Sequence, residues 1–175
     1  MQFSIGVEYA LHSLFYMMYL PENKSLGIKQ IANLHNTTDS YLSKIFTKLR
    51  KAGIVKSITG VKGGYELSKP ASDISFWDVI EAIEGSSYFF QCGEIRKKNI
   101  FVKDPSEFKA NCPCLIKVVI HDAEELLRNE LKSKSLLWLF EQVKDDFSQD
   151  KKEKITHWVN SSTLIAKPRK TPLHN

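Results

Sequence analysis

Three cysteines give this 175-residue chain its clearest opportunity for chemistry. A single proline separates Cys112 from Cys114, whereas nineteen residues separate Cys92 from Cys112. An odd number of cysteines argues against a small secreted fold held by disulfides, and closely spaced thiols are typical of metal-binding or redox-active sites. The N-terminus also lacks the pattern of a secretion signal. We therefore expect a cytoplasmic protein whose thiols bind a metal or respond to oxidation.

Residues 38–68 predict an amphipathic helix followed by a short hairpin. Thr38 is suited to cap this helix and Gly53 to end it, and one helix face is apolar at the spacing i, i+3, i+4, i+7, through Leu42, Ile45, Phe46 and Leu49. Residues 54–59 and 65–67 predict two strands, which a glycine-rich turn joins. This order is typical of the recognition helix and wing of a winged helix-turn-helix, and it indicates a DNA-binding protein.

The distribution of charge supports the same interpretation. The whole chain has 25 Lys and Arg against 20 Asp and Glu, a formal net charge of +5. Residues 1–70 contain nine basic and four acidic residues, and residues 71–175 contain sixteen of each, so the first segment carries the whole excess. Lys and Arg side chains that neutralise phosphates supply most of the affinity for DNA that is independent of base sequence.

We expect DNA contacts from the outer face of the predicted recognition helix, from the preceding helix and from the hairpin. Tyr41, Lys44, Lys48 and Lys51 fall opposite the apolar face, where a major groove could receive them. Lys62 is expected to reach a phosphate or the minor groove from the hairpin tip. The predicted DNA-binding residues are Lys29, Thr38, Ser40, Tyr41, Ser43, Lys44, Lys48, Lys62 and Gly63.

The rest of the chain predicts further helices. One is expected over residues 4–20, one from a cap at Ser25 to Leu34, and one from a capping box at Ser75 to a stop at Gly85. After an irregular loop at 86–113, a long helix over 115–132 is followed by a short one over 135–143. The long helix has an apolar seam suited to a second copy of itself, formed by Ile116, Ile120, Ala123, Leu127 and Leu131.

We therefore predict a mainly α fold with a small β wing. A winged helix-turn-helix DNA-binding domain is expected over residues 1–70, a linker helix and cysteine-containing loop over 71–114, and dimerisation helices over 115–143. Residues 144–175 are expected to form a loosely attached C-terminal tail. The sequence has no phosphate-binding glycine loop and no nucleophile elbow, so an enzyme is not expected.

The chain resembles the Rrf2 family of bacterial winged-helix transcription regulators. The resemblance rests on Tyr9-Ala10-Leu11, Ile31-Ala32, Ser40-Tyr41-Leu42, the run 49–55, Gly63-Gly64-Tyr65 and the run 78–85. It implies a homodimer that binds palindromic double-stranded operator DNA. It also implies an iron–sulfur cluster in many members, held by cysteines in the loop before the dimerisation helix. The Cys-x-Cys spacing here differs from the commonest pattern of three closely spaced cysteines and is similar to that of the RsrR-like redox-sensing branch.

That branch implies a 2Fe–2S cluster held by Cys112 and Cys114 of one protomer and by Glu8 and His12 of the other. Glu8 and His12 are four residues apart, hence neighbours on one helix face, and imidazole can replace thiolate as a ligand to cluster iron. Other interpretations remain open. The cysteines could be small buried apolar residues or a thiol switch, and a zinc site could use Cys92, Cys112, Cys114 and His121.

Overall fold

The computed structural model describes residues 2–21, 24–60, 63–104, 113–162 and 164–165. In these ranges it has seven α-helices, two short 3₁₀ helices (Ala71–Asp73 and Ile95–Lys97) and four short strands. The helices are α1 (Ile5–Met17), α2 (Ile28–Leu34), α3 (Asp39–Lys51), α4 (Phe76–Glu84), α5 (Leu115–Ser133), α6 (Leu136–Val143) and α7 (Gln149–Ser162). The strands are β1 (Lys24–Ser25), β2 (Val55–Ile58), β3 (Gly64–Leu67) and β4 (Leu164–Ile165). The predicted mainly α fold with a small β wing is confirmed.

The predicted recognition helix and hairpin form as α3, β2 and β3. Thr38 caps α3, because its Oγ1 accepts a hydrogen bond from the backbone N–H of Tyr41 at 3.3 Å. Gly53 follows the helix at a φ of +71°, in the left-handed region that glycine adopts at helix ends. The hairpin packs onto α3 through Phe46 and Tyr65, whose ring centroids are 4.9 Å apart. The hairpin is therefore held at a fixed position beside the helix.

The hydrophobic core joins the winged-helix head, which consists of α1, α2, α3, β2 and β3, to α4. The capping box at Ser75 and Asp78 is confirmed, since each side chain bonds the other residue's backbone N–H at 3.1 and 2.8 Å. Helix α4 packs against α1 and α3 and ends before Gly85, whose φ is +95°. The fully buried side chains at the centre include Leu14, Leu26, Ile31, Leu42, Phe46, Leu49, Ile54, Ile74 and Val79.

The structure corrects the predicted start of α2. Ser25 does not cap this helix, because its backbone pairs with Leu164 in the β1–β4 ladder and its side chain is buried. The following residue, Leu26, pairs with Tyr65. Strand pairing therefore uses the backbone that the cap would have required, and α2 begins later, at Ile28, with Gly27 in the cap position.

The C-terminal segment also differs from the prediction. A loosely attached tail is wrong for residues 149–165, because α7 buries Ile155 and Val159 and packs Trp158 against the core. Strand β4 then pairs antiparallel with β1. Two buried apolar residues one helical turn apart anchor a helix that is otherwise rich in charge. Over the described ranges, none of the helices is both long enough and apolar enough to cross a membrane.

Candidate functional site

The outer face of α3 is exposed to solvent at most of its positions. Leu42, Ile45, Phe46 and Leu49 are buried on the inner face, as predicted. By helical spacing, the residues directly opposite are Ser40, Lys44, Thr47 and Lys51, of which Ser40, Lys44 and Lys51 are exposed. This row of two hydroxyls and two ammonium groups can reach base edges and phosphates in a major groove. Thr47 was not predicted, although the same spacing that selects Lys44 and Lys51 also selects it.

Two of the predicted contact residues lie at the flank of α3 instead. Tyr41 was expected to be exposed, but its ring is half-buried and stands edge-on to Tyr9 at 5.5 Å between centroids. Lys48 directs its Nζ to the carbonyl oxygen of Ile83 at 2.5 Å. Both side chains connect α3 to its neighbours, Tyr41 to α1 and Lys48 to the end of α4. Packing against α1 therefore half-buries Tyr41, whereas Lys48 remains exposed while its ammonium group contacts the end of α4.

The other predicted DNA-binding residues surround this face. Lys29 and Thr38 are exposed, Ser43 is half-buried, and Ser43 accepts at its backbone carbonyl a hydrogen bond from Thr47 Oγ1 at 2.7 Å. Gly63 lies in the hairpin turn, where a side chain would collide with the Ile58 carbonyl oxygen. Lys62 lies outside the described residues.

The cysteine site begins at the first turn of α5. Cys114 occupies the cap position of this helix and is buried. The pKa of its thiol is lowered chiefly by a hydrogen bond from the Lys117 backbone N–H and further by the Cys92 side chain and the charge of Arg96, while burial opposes this. Cys92 thus lies close to Cys114, although 21 residues separate the two in the sequence. Cys112 lies outside the described residues.

The segment that leads to Cys92 is fastened to α5. The ring of Tyr88 stacks on His121 with centroids 4.3 Å apart, and His121 Nε2 lies 3.1 Å from the Phe90 carbonyl oxygen. The Phe89 backbone N–H donates to Glu124 at 3.0 Å. These contacts give His121 a role in holding the loop. In the ranges that the structure describes, no three His, Cys, Asp or Glu side chains come together as a metal site.

Glu8 and His12 lie together on α1, and both are exposed. With Ile5, Tyr9 and His35 they line a small cleft of ≈170 Å³. The pKa of His35 is lowered by burial first and by the neighbouring His12 second. Within one chain, these two predicted ligands are therefore open to an approaching partner.

His35 places the turn of the helix-turn-helix in contact with this α1 face. Its ring centroid lies 6.4 Å from that of His12 and 5.8 Å from that of Tyr9. Ser13 Oγ donates its single proton to the Tyr9 carbonyl at 2.6 Å, so the Nε2 of His35, 3.1 Å from the same Oγ, must be the donor in that contact. The proton on Nε2 leaves Nδ1 as the acceptor of the neutral ring.

Comparison with known proteins identifies the chain's relatives. The family model Rrf2, described as an iron-dependent transcriptional regulator, matches residues 3–142. The chain belongs to the Rrf2 family. It is 30% identical over 159 residues to YwgB of Bacillus subtilis strain 168, covering 91% of this chain and 95% of YwgB. It is 28% identical over 123 residues to the HTH-type transcriptional regulator NsrR of Shouchella clausii, covering 70% of this chain and 77% of NsrR.

Solved structures of Rrf2 regulators show the same fold. The oxidised form of Staphylococcus aureus CymR is 27% identical, with a TM-score of 0.57 over 81% of this chain and 97% of CymR. IscR of T. potens has a TM-score of 0.61 over 85% of this chain and 93% of IscR, at 24% identity. As a member of the Rrf2 family, the chain is a transcriptional regulator with a winged-helix fold and not an enzyme.

Proposed function

We propose that this Rrf2 protein is a cytoplasmic homodimer that binds palindromic double-stranded operator DNA and senses redox state, or iron–sulfur status, through a 2Fe–2S cluster. The observation that carries the sensing proposal is the environment of Cys114. Its thiol lies at the start of a nineteen-residue helix, next to backbone N–H donors, a second thiol and a guanidinium. Such surroundings favour the thiolate, which is the form that binds metal.

The DNA-binding part of the proposal rests on α3 and the hairpin. The inner face of α3 is buried in the core, so a groove can meet only the outer side of the helix, which includes Ser40, Lys44, Thr47 and Lys51. A homodimer presents two such faces, and the distance between them sets which half-site spacing is bound. Any event that moves the two heads relative to each other would therefore change operator affinity.

The donor atoms fit an iron–sulfur cluster. Cys112 and Cys114 would supply two thiolates, and Glu8 and His12 of the partner protomer would supply a carboxylate and an imidazole. When bound, the cluster would supply a one-electron redox centre. Glu8 and His12 are exposed on one face of α1, so their side chains are accessible to a second chain. The backbone N–H of Lys117 would hold the charge of the Cys114 thiolate in place.

The test begins with anaerobically purified protein, whose visible absorption spectrum is recorded and whose iron and sulfide are counted per dimer. Cys112→Ala and Cys114→Ala should each abolish the cluster, whereas Cys92→Ala should leave it nearly intact. Mixing Glu8→Ala/His12→Ala chains with Cys112→Ala/Cys114→Ala chains should restore one site of two in heterodimers. If Cys92→Ala loses iron as completely as Cys112→Ala does, the result would instead support a three-cysteine site.

A second candidate is a dithiol switch without a cluster, favoured by the proximity of Cys92 to Cys114. A peroxide would oxidise the Cys114 thiolate to a sulfenic acid, and the Cys92 thiol would displace water to form one S–S bond. The two thiols lose two electrons and two protons in total, and the peroxide is reduced to water. Mass spectrometry of the peroxide-treated, iron-free protein separates the candidates, because a Cys92–Cys114 disulfide at stoichiometric yield would support the switch.

A further inference from the structure

The loop between α4 and α5 has an apolar tip that the described part of the chain leaves uncovered. Ile95, Ile100 and Phe101 are 76%, 91% and 86% exposed. The tip nevertheless has a defined backbone, because Asn99 accepts from the Phe101 N–H at 2.9 Å and donates to the Arg96 carbonyl at 2.8 Å. A structured loop that exposes large apolar side chains is typical of an interaction surface. We call residues 95–103 the loop tip.

A cleft of ≈740 Å³ opens beside α1 in the same chain. Residues 2–4, α1 and α6 form its walls, together with Phe76, Phe147 and, at the start of α7, Lys151. These walls are mainly apolar, and they include Leu11, Phe15, Leu139 and Val143. Glu8 and His12, the two α1 residues proposed as cluster ligands, also line it. The cleft therefore combines an apolar floor with the polar side chains of the sensing proposal.

The loop tip and the cleft are complementary, yet they do not meet within one chain. The side chains of Ile100 and Phe101 are almost fully exposed, so they do not fill the cleft of their own protomer. Lys98 and Lys103 of the loop tip are exposed, and Asp145 and Asp146 are exposed between two residues that line the cleft, Val143 and Phe147. A two-fold symmetric dimer would use such a complementary pair twice, once in each direction.

We propose that the loop tip of one protomer docks into the α1 cleft of its partner, with Ile100 and Phe101 against the apolar walls. This inference rests on the proposed homodimer and specifies how it completes the sensor. Arg96 Nη1 donates to the Pro113 carbonyl at 3.1 Å, so the tip is tied to the residue between the two cysteines. Docking therefore carries the thiols of one protomer toward Glu8 and His12 of the other.

The first experiment measures the dimer dissociation constant of the iron-free, full-length protein by sedimentation equilibrium without DNA. Ile100→Asp/Phe101→Asp should raise this constant more than about tenfold, because it places two charges against an apolar wall. Ile100→Leu/Phe101→Leu is the matched control and should leave the constant within about threefold of the parent value. Both positions are exposed in the single chain, so folding is unaffected. An unchanged constant in the Asp variant would overturn the proposal.

The second experiment reverses the charges at the edge of the interface. Lys98→Glu/Lys103→Glu and Asp145→Lys/Asp146→Lys should each weaken the dimer at low salt. The chain with all four substitutions should recover parental affinity, because the reversed charges then meet across the dimer. Circular dichroism checks that both double variants fold. If they fold and the fourfold variant does not recover parental dimer affinity, this charge pairing is excluded.

A third measurement identifies what fills the cleft. A photo-crosslinking benzoylphenylalanine in place of Phe101 should join two chains, with the bond in residues 139–151 of the second. Crosslinks confined to other segments would show that something else occupies the cleft and would refute docking. Equal binding of a small apolar dye to the cleft of the parent and of the Asp variant would refute it as well. Because these measurements use iron-free protein and no DNA, loss of the cluster or of operator binding would contradict the proposed function without affecting this result.

Discussion

The guanidinium of Arg128 lies over the ring of Trp77, with 4.7 Å between its central carbon and the ring centroid. Tyr88 faces the same guanidinium at 4.5 Å, and Glu124 accepts a hydrogen bond from it at 2.6 Å. Arg128 and Glu124 are only 7% and 5% exposed, and the hydrogen bond to Glu124 is the main reason that the pKa of Arg128 is raised. One buried cation thus connects α5, helix α4 and the loop that leads to Cys92.

Arg128→Leu should therefore lower the free energy of unfolding by about 3 kcal/mol or more, because Glu124 would be left buried without its partner. Arg128→Leu/Glu124→Leu should recover most of this loss, since it removes both charges. Urea unfolding of the iron-free protein, at one fixed protein concentration, measures the free energy of unfolding of both variants. Equal destabilisation in the single and double variants would show that the pair is not coupled as its geometry indicates.

Lys44→Ala and Lys51→Ala should weaken binding to operator and to unrelated DNA alike. Each should also reduce the slope of log K against log salt by about one, as expected for the loss of one phosphate contact. Lys132→Ala on α5 is the control and should bind as the parent does. Fluorescence anisotropy at several salt concentrations gives the slopes. We expect the same outcome for Lys62→Ala at the hairpin tip.

The exposed apolar face of α5 should be covered in the dimer. Val119 is 67% exposed and belongs to this face, together with Leu115, Ile116, Ile120 and Leu126. Val119→Glu should give monomers in sedimentation velocity, because a charge would enter a dry interface. Asn129→Glu, on a polar side of the same helix, should remain dimeric. Val119 is a cleaner probe than the half-buried Leu127, whose substitution would also disturb packing within the chain. If Val119→Glu forms dimers with the affinity of the parent, the dimer interface lies elsewhere.

Helix α7 should contribute to the stability of the head. Ile155→Ala removes a buried side chain and should cost about 2 kcal/mol in thermal or urea unfolding. Thr156→Ala, at the exposed neighbouring position, should change the stability by less than about 0.5 kcal/mol. An Ile155→Ala protein as stable as its control would mean that α7 packs only weakly on the head.

The sequence predicted well those elements whose causes are local. The cap at Thr38, the apolar face of α3, the capping box at Ser75 and the long helix α5 all depend on residues within one or two helical turns. Their formation follows from spacing and capping chemistry, which a linear pattern contains.

The sequence failed where packing between distant segments decides the outcome. Tyr41 and Lys48 lie on the polar side of the helical pattern, and only the placement of α1 and α4 engages them. Cys92 and Cys114 approach each other because the segment before Cys92 is bonded to α5, and no spacing rule predicts these contacts. Helix α7 was missed because two buried residues among many charged ones make a weak periodic signal.

The separation of α3 into a buried face and an exposed face has an evolutionary consequence. Its buried residues, together with Tyr41 and Lys48, contact the rest of the fold. The side chains of Ser40, Lys44 and Lys51 are exposed, and that of Thr47 bonds the Ser43 carbonyl of the same helix. Substitutions at these four positions can accumulate at little cost in stability. Substitutions at these positions can therefore give a lineage new target promoters while the residues around Cys114 stay unchanged. Related regulators could in this way respond to one stimulus yet control different sets of genes.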